Sequence, residues 1–141
     1  MLRSAVFDHL SLGVADLERA GAFYDKVLAP LGYVRLWRST RGIGYGPAGF
    51  VGEAPLALVQ TGAEARAPGP GFHLALAAPS RGAVDGFHAE AMAGGGVDEG
   101  PPGIRENYEP GYYAAFVRDL DGYRLEAVLH EPVEAQSDEP G

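Results

Sequence analysis

The sequence predicts an α+β fold in which one βαβββ unit occurs twice. Short segments with a two-residue period, typical of strands, flank two amphipathic segments with helical spacing. The pattern restarts after residues 61–71, a stretch rich in Pro, Gly and Ala, and a shift of 64 residues aligns the two halves without a gap, so that His9 matches His73. We call residues 5–60 module one, residues 61–71 the linker and residues 72–130 module two.

Each module begins with a strand that leads into one helix. In module one, residues 7–14 alternate as a strand does, Asp16 stands at the N-cap position, and apolar side chains recur at helical spacing over residues 16–29. In module two, a strand over residues 72–78 is followed by a helix that Ser80 caps. The remaining strands are predicted at residues 33–38, 42–46, 55–60, 97–100, 112–118 and 123–130, with a long loop at residues 101–111.

The composition excludes several classes of protein. The 141 residues carry a net charge of −8, and no basic run supplies the positive surface that nucleic acid needs. The chain has no cysteine, which excludes disulfides and thiolate metal ligands. No apolar run approaches the roughly 20 residues of a membrane span, and no signal pattern is recognised, so we expect a cytoplasmic protein. We expect residues 1–132 to form one domain and the acidic residues 133–141 to be poorly ordered.

Three potential metal ligands stand at related positions. His9 lies in the first predicted strand of module one, and His73 occupies the equivalent place in module two. Glu126 lies in the middle of an apolar strand, where a carboxylate is costly to bury unless it is paired or bound to a cation. Two histidines and one carboxylate form the ligand set of a facial triad, which leaves positions open on Fe(II) or a similar divalent ion. The alternative for Glu126 is an ion pair with Arg124 or Arg118.

Three segments carry a family resemblance: FDHLSLGVADLERAGAFYDKVLAPLGY, GFHLALAAPSRGAVDGFHAEAMAGGG and FVRDLDGYRLEAV. They resemble the vicinal oxygen chelate superfamily, which includes glyoxalase I, bleomycin-resistance proteins, fosfomycin-resistance transferases and extradiol dioxygenases. The resemblance extends over residues 5–130. It implies paired βαβββ modules with one helix each, whose mixed sheets curl into an open cup with the metal at the bottom.

The resemblance implies that the metal ligands lie in the first and last strands of each module. In this sequence those positions are His9, His73 and Glu126, with a fourth position within residues 55–60. Aligning LALVQ with LEAVL puts Ala57 opposite Glu126, and alanine cannot bind a metal. Glyoxalase I-like chemistry uses a carboxylate there as ligand and base, so this departure disfavours that reaction. The remaining His-His-Glu set resembles that of the extradiol dioxygenases and the fosfomycin-resistance transferases.

We therefore expect an enzyme that binds one divalent metal ion (Fe, Mn, Zn, Ni or Co) and acts on a small oxygen-chelating substrate. Lyase, isomerase, transferase and ring-cleaving dioxygenase reactions all stay open at this point. The resemblance also implies a homodimer and leaves open whether His9 and His73 bind one ion from one chain or from two. The alternative class is a metal-free protein of the bleomycin-resistance type that sequesters a small molecule, and the acidic charge would suit a cationic ligand.

Candidate catalytic residues are tyrosines near Glu126. Tyr112 and Tyr113 open the strand before the last hairpin, and alternation directs one of them to the side that holds Glu126, where a tyrosine can donate a proton. Tyr108 in the preceding loop is a third candidate. Packing in the wall of the sheet is the alternative for each.

Candidate substrate-binding residues lie in both modules. Arg105 and Asn107 belong to the predicted loop at residues 101–111, which is long enough to act as a lid or a specificity loop. Trp37 and Tyr45 are candidates to line the cup of module one. The alternatives are a simple surface crossing for the loop and core packing for the two aromatic residues.

Overall fold

The computed structural model describes residues 6–133 and contains both predicted modules. Module one consists of β1 (Leu10–Val14), α1 (Leu17–Leu28), β2 (Tyr33–Arg38), β3 (Gly42–Pro47) and β4 (Leu56–Gln60). Module two consists of β5 (Leu74–Ala77), α2 (Arg81–Ala93), β6 (Val97–Ile104), β7 (Tyr112–Arg118) and β8 (Arg124–His130). The predicted α+β fold with two βαβββ modules is thereby confirmed. The predicted acidic tail lies, from residue 134 onward, outside the described residues.

Each module forms an open four-stranded sheet, and the two sheets have the same strand order. The order is β1-β4-β3-β2 in module one and β5-β8-β7-β6 in module two. In both sheets the first strand runs parallel to the last, and the other pairs are antiparallel. The registers agree with the repeat, because Leu10 lies opposite Leu56 in module one and Leu74 lies opposite Leu125 in module two.

The helices begin at the predicted caps and cover one face of each sheet. The Asp16 carboxylate accepts a hydrogen bond from the Arg19 backbone nitrogen at 3.2 Å, and the Ser80 hydroxyl accepts one from Ala83 at 3.1 Å. Helices α1 and α2 also pack against each other. The core between helices and sheets contains Val14, Val27, Leu28, Ile43, Leu58, Val84, Phe87, Val117 and Leu125. Neither helix within residues 6–133 has the length and apolar character of a membrane span.

Both first strands are shorter than predicted, so each candidate histidine lies immediately before a strand. Strand β1 begins at Leu10, three residues later than predicted, and β5 begins at Leu74, two residues later. In module one the neighbouring strand follows Pro55, whose nitrogen carries no hydrogen with which to extend the ladder. In module two Phe72 closes a turn by donating its backbone N–H to Gly69. His9 and His73 still occupy equivalent places, because each immediately precedes the first strand of its module.

Strand β6 is longer than predicted and takes in part of the expected loop. It continues through Pro101 and Pro102 to Ile104, so the loop shrinks to residues 105–111. Proline is tolerated here because β6 is the edge strand of its sheet, and the register with β7 shifts where the prolines interrupt the ladder. The longer strand brings the start of the loop close to the sheet.

Candidate metal centre and substrate cavity

The buried carboxylate of Glu126 is the centre of the candidate site. Only 1% of Glu126 is exposed, and it lies in β8 between Ala75 of β5 and Phe116 of β7. One carboxylate oxygen is 2.8 Å from Nε2 of His73, and the other accepts a hydrogen bond from the Tyr112 hydroxyl. Both oxygens therefore have a partner, as a buried carboxylate requires.

The adjacent residues Tyr112 and Tyr113 point to opposite faces of the sheet. Burial, followed by the hydrogen bond to Glu126, raises the pKa of Tyr112 well above its ordinary value, so the hydroxyl keeps its proton at neutral pH. Tyr113 points to the other face and donates a hydrogen bond to Asp85 of α2 at 2.7 Å, with the guanidinium of Arg81 over its ring. Of the two, Tyr112 is the one that meets the carboxylate.

His9 is not part of the cluster around Glu126 within one chain. Its Nδ1 lies 2.7 Å from the carboxylate of Asp8, and that hydrogen bond raises the pKa of the imidazole. His9 and His73 do line one surface hollow of about 480 Å³, next to Pro55. Within residues 6–133 no three histidine, aspartate or glutamate side chains converge closely enough to hold a metal ion. The two predicted ligands that the structure brings together are His73 and Glu126.

The alternative ion pair for Glu126 is wrong. The guanidinium groups of Arg118 and Arg124 both turn to Glu99 of β6, at 2.7 Å and 3.5 Å. Glu126 is paired instead with His73, and the arginines stay on the open side of the sheet.

A cavity of about 350 Å³ lies beside His73. Two of the candidate residues, Arg105 and Tyr108, line it, whereas Asn107 is exposed and is not among the lining residues. The polar and aromatic side chains that line the cavity are His73, Glu99, Arg105, Tyr108, Phe116 and Arg124, together with Phe72. A concave site of this size suits a small molecule.

The module one candidates lie apart from this cavity. Trp37 is 40% exposed and lies across Gly44 on the open face of its sheet. Tyr45 is on the opposite face, in the core, where its hydroxyl donates to the carboxylate of Asp25 at 2.8 Å and burial raises its pKa. The expectation that Tyr45 lines the cup is wrong, because its register in β3 directs it toward α1.

The fourth ligand position holds alanine, which cannot bind a metal, as the alignment of LALVQ with LEAVL indicated. Ala57 lies opposite Ser11 of β1, as Glu126 lies opposite Ala75 of β5, so the two residues occupy equivalent places. A methyl group there offers no oxygen or nitrogen to a metal. Within one chain, the pair of His73 and Glu126 therefore has no counterpart in module one.

Sequence reasoning missed four of the polar and aromatic residues that line the cavity, and Phe72 is one of them. Phe116 and Glu99 carry no local signal, because the register of β7 with β8 places Phe116 opposite Glu126, and Glu99 lies where the register of β6 with β7 shifts. Arg124 was considered only as an ion-pair partner. Its two-residue spacing from Glu126 places it on the same sheet face, which the strand period alone could have indicated.

Comparison with known proteins defines the family. Residues 6–127 match the Glyoxalase/Bleomycin resistance protein/Dioxygenase superfamily, and the chain belongs to that superfamily. It is 31% identical to a glyoxalase/bleomycin resistance protein from Albidiferax ferrireducens T118, with a TM-score of 0.72 over 91% of this chain and 100% of that one. No curated protein matches the chain.

Two more distant structures share the fold. A glyoxalase-related enzyme from Fulvimarina pelagi is 24% identical, with a TM-score of 0.65 over 94% of both chains. The fosfomycin resistance protein FosX from Listeria monocytogenes is 17% identical, with a TM-score of 0.64 over 93% of this chain and 96% of that one. At these identities the similarity shows the architecture and leaves the reaction to the site itself.

Proposed function

We propose that this chain is a metal-dependent enzyme of the vicinal oxygen chelate type that acts on a small organic substrate. The observation that carries the proposal is the buried carboxylate of Glu126 in contact with His73, whose side chain is 49% exposed and lines a cavity. A carboxylate held in an apolar strand is expensive to keep without a cation. An imidazole and a carboxylate at the edge of a cavity are the donors that such a cation would use.

His73 and Glu126 would hold the ion, and His9 would supply the third donor. Nitrogen and oxygen donors of this kind fit Fe, Mn, Co, Ni or Zn. A bound divalent ion would polarise a substrate oxygen as a Lewis acid and stabilise the negative charge that develops on it. Tyr112, which keeps its proton, would hold the second oxygen of Glu126 and orient the carboxylate.

The donor set narrows the reaction class. Ala57 stands where a proton-transfer carboxylate would be needed, which disfavours a glyoxalase I-like isomerisation or lyase reaction. We favour a transferase or a ring-cleaving dioxygenase reaction, because the remaining His-His-Glu set resembles the ligand sets of those enzymes. Each of these needs open metal positions for the substrate, and a three-donor site leaves them.

The third donor has two possible sources. His9 shares a hollow with His73 in one chain, but its ring is bound to Asp8 and away from Glu126. Strands β1 and β5, which follow the two histidines, are both edge strands, so a second copy can approach them. We propose a homodimer in which this approach completes the site.

Metal analysis tests the proposal. Protein purified without chelator or affinity metal is expected to hold about one divalent ion per chain by elemental mass spectrometry. His73→Ala, Glu126→Gln and His9→Ala should each lose the ion while remaining folded. His88→Ala is the matched control, because His88 is bound to Asp98 on α2 and β6 and should leave the metal content unchanged. Absence of metal after addition of Fe, Mn, Co, Ni and Zn would contradict the proposal.

Mixing variants tests whether two chains build one site. The His9→Ala and His73→Ala proteins each lack one donor. If one site uses His9 of one chain and His73 of another, refolding the two proteins together restores metal binding in mixed dimers. If one chain supplies both donors, the mixture binds no more metal than its components.

A second candidate function is metal-free binding of a small molecule. The observation that favours it is the satisfaction of both Glu126 oxygens by His73 and Tyr112, which is sufficient for a structural buried carboxylate. The metal analysis separates the two functions, because a metal-free binding protein would hold no divalent ion in the parent protein or in any variant.

A further inference from the structure

The cavity beside His73 collects positive charge in a chain that is acidic overall. Arg105 and Arg124 both line it, and the carboxylate that lines it is that of Glu99. Glu99 is already engaged, since Arg118 lies 2.7 Å from one of its oxygens and Arg124 lies 3.5 Å from the other. Two guanidinium groups thus share one carboxylate, and Arg105 adds a third positive charge beside them.

Arg105 is held in place without a carboxylate. Within residues 6–133 no acidic side chain lies within 4 Å of it. Its guanidinium donates to the backbone oxygen of Pro101 at 2.6 Å and lies over the ring of Phe116, 5.5 Å from the centroid. These contacts fix the side chain and occupy only part of its five N–H donors. The donors left over are available to an oxyanion.

The same aromatic ring connects this arginine with the candidate metal ligand. The imidazole of His73 lies 6.4 Å from the Phe116 ring centroid, on which Arg105 also stacks. Tyr108 stands edge-on to Phe116 at 6.5 Å and is largely exposed. A molecule in the cavity would meet aromatic rings along its body, a guanidinium on one side and His73 on another.

We propose that this cavity binds small organic acids, with the carboxylate group held by Arg105 and attracted by Arg124. The inference rests on the proposed function in one respect: the acid would be the substrate that reaches the metal at His73. A guanidinium recognises such groups through two parallel N–H···O bonds, which gives direction as well as charge. At about 0.1 M salt the repulsion from the rest of the −8 charge is largely screened beyond about 10 Å, whereas the arginines act on a bound anion at contact distance.

Three probes of equal shape and different charge test the proposal. Benzoate, benzamide and benzamidine share a ring and a planar three-atom group, and they carry negative, zero and positive charge. Isothermal titration calorimetry on the full chain at about 0.1 M ionic strength should show benzoate binding at least about tenfold more tightly than benzamide. Benzamidine should bind more weakly still. Equal binding of all three probes, or preference for benzamidine, would overturn the proposal.

Substitution of the arginine locates the binding. Arg105→Met should weaken benzoate binding at least about tenfold and leave benzamide unchanged, because a charge-assisted hydrogen bond is lost. Arg105→Lys should fall between the two proteins, since it keeps the charge and loses the planar fork. Arg66→Met is the control, because it removes the same charge from an exposed linker position outside the cavity. An equal loss in Arg66→Met and Arg105→Met would overturn the proposal.

Metal content separates this inference from the proposed function. Arg105→Met should keep the metal of the parent protein, because Arg105 is not one of the proposed ligands. If metal is bound and benzoate shows no preference, the substrate class is wrong and the metal site stands. If benzoate is preferred and no metal is bound, the acid-binding cavity stands and the metalloenzyme is wrong.

Discussion

The two modules share a strand order, yet they place different side chains on the same face of the sheet. Facing positions in the last two strands hold Gly44 and Ala57 in module one, and Phe116 and Glu126 in module two. The first pair has no polar side chain, whereas the second contains a buried carboxylate. Repetition of the fold therefore does not repeat the chemistry, because these facing positions differ between the modules.

The bulky aromatic residue also comes from a different strand in each module. In module one it is Trp37 of the edge strand β2, and it crowds Gly44 so closely that a Cβ there would lie 2.2 Å from the indole nitrogen. In module two the edge strand β6 holds Gly100, and the facing residue Phe116 of β7 is the large one. The indole covers its sheet face, whereas Phe116 lines an open cavity. The edge strand thus decides whether this face is covered or open.

The largest expected difference is between the two histidines that the repeat relates. His73→Ala removes a partner of Glu126 and leaves one oxygen of a buried carboxylate without its hydrogen bond, at an expected cost of about 2 kcal/mol in the free energy of unfolding. His9→Ala removes a solvent-facing ring bound to exposed Asp8, and we expect no measurable change. Urea unfolding in EDTA at pH 7 measures both.

A second substitution checks the cause of that loss. Glu126→Leu in the His73→Ala background removes the orphaned carboxylate, and we expect it to recover most of the lost stability. Equal losses in His73→Ala and His9→Ala, or no recovery in the double variant, would contradict the account of Glu126 as a carboxylate that depends on its imidazole.

An intermediate effect is expected at the covered face of module one. Gly44→Ala forces Trp37 away from its position and should cost about 1.5 kcal/mol in unfolding free energy. Gly100→Ala in module two should cost less, because its added Cβ would meet the nearest atoms, in Arg105 and Phe116, at 3.1 Å. Thermal and urea unfolding of both variants give the comparison.

Removal of the Trp37 indole tests whether it is the cause of the loss in Gly44→Ala. In a Trp37→Ala background the Gly44→Ala substitution should cost less, because the indole, which is the nearest neighbour of the added Cβ, is gone. A cost that persists without the indole would place the conflict with another neighbour of Gly44, such as Ala54, whose Cβ is 2.8 Å from the added atom.

The sequence predicted those features that depend on local chemistry. The caps Asp16 and Ser80 and the repeat between His9 and His73 sufficed to predict two modules, each with its helix after the first strand. The apolar residues that flank Glu126 in β8 also identified it as a carboxylate in an apolar strand. These patterns act over a few residues or repeat along the chain, so they are visible without the fold.

The parts that the sequence did not predict depend on contacts between strands. Whether Tyr112 or Tyr113 faces the carboxylate is set by the register of β7 with β8, and a shift of one residue reverses the answer. Arg105 reaches the cavity because β6 continues through Pro101 as an edge strand. The hydrogen bond between His9 and Asp8 depends on the conformations of two adjacent side chains, and the two-residue period of a strand does not indicate it.

The smallest effect is expected from removing the second hydrogen-bond donor of Glu126, which is the hydroxyl of Tyr112. Tyr112→Phe removes the hydroxyl that donates to Glu126 and should cost about 1 kcal/mol in unfolding free energy, because the acceptor is buried. Tyr113→Phe is the matched control, since its hydroxyl donates to Asp85 at an exposed position, where such contacts contribute little. Urea unfolding at pH 7 compares the two variants. If both lose the same amount, the two hydroxyls are equivalent and the carboxylate is supported by His73 alone, which would leave Tyr112 as a wall of the sheet rather than an orienting partner of the proposed ligand.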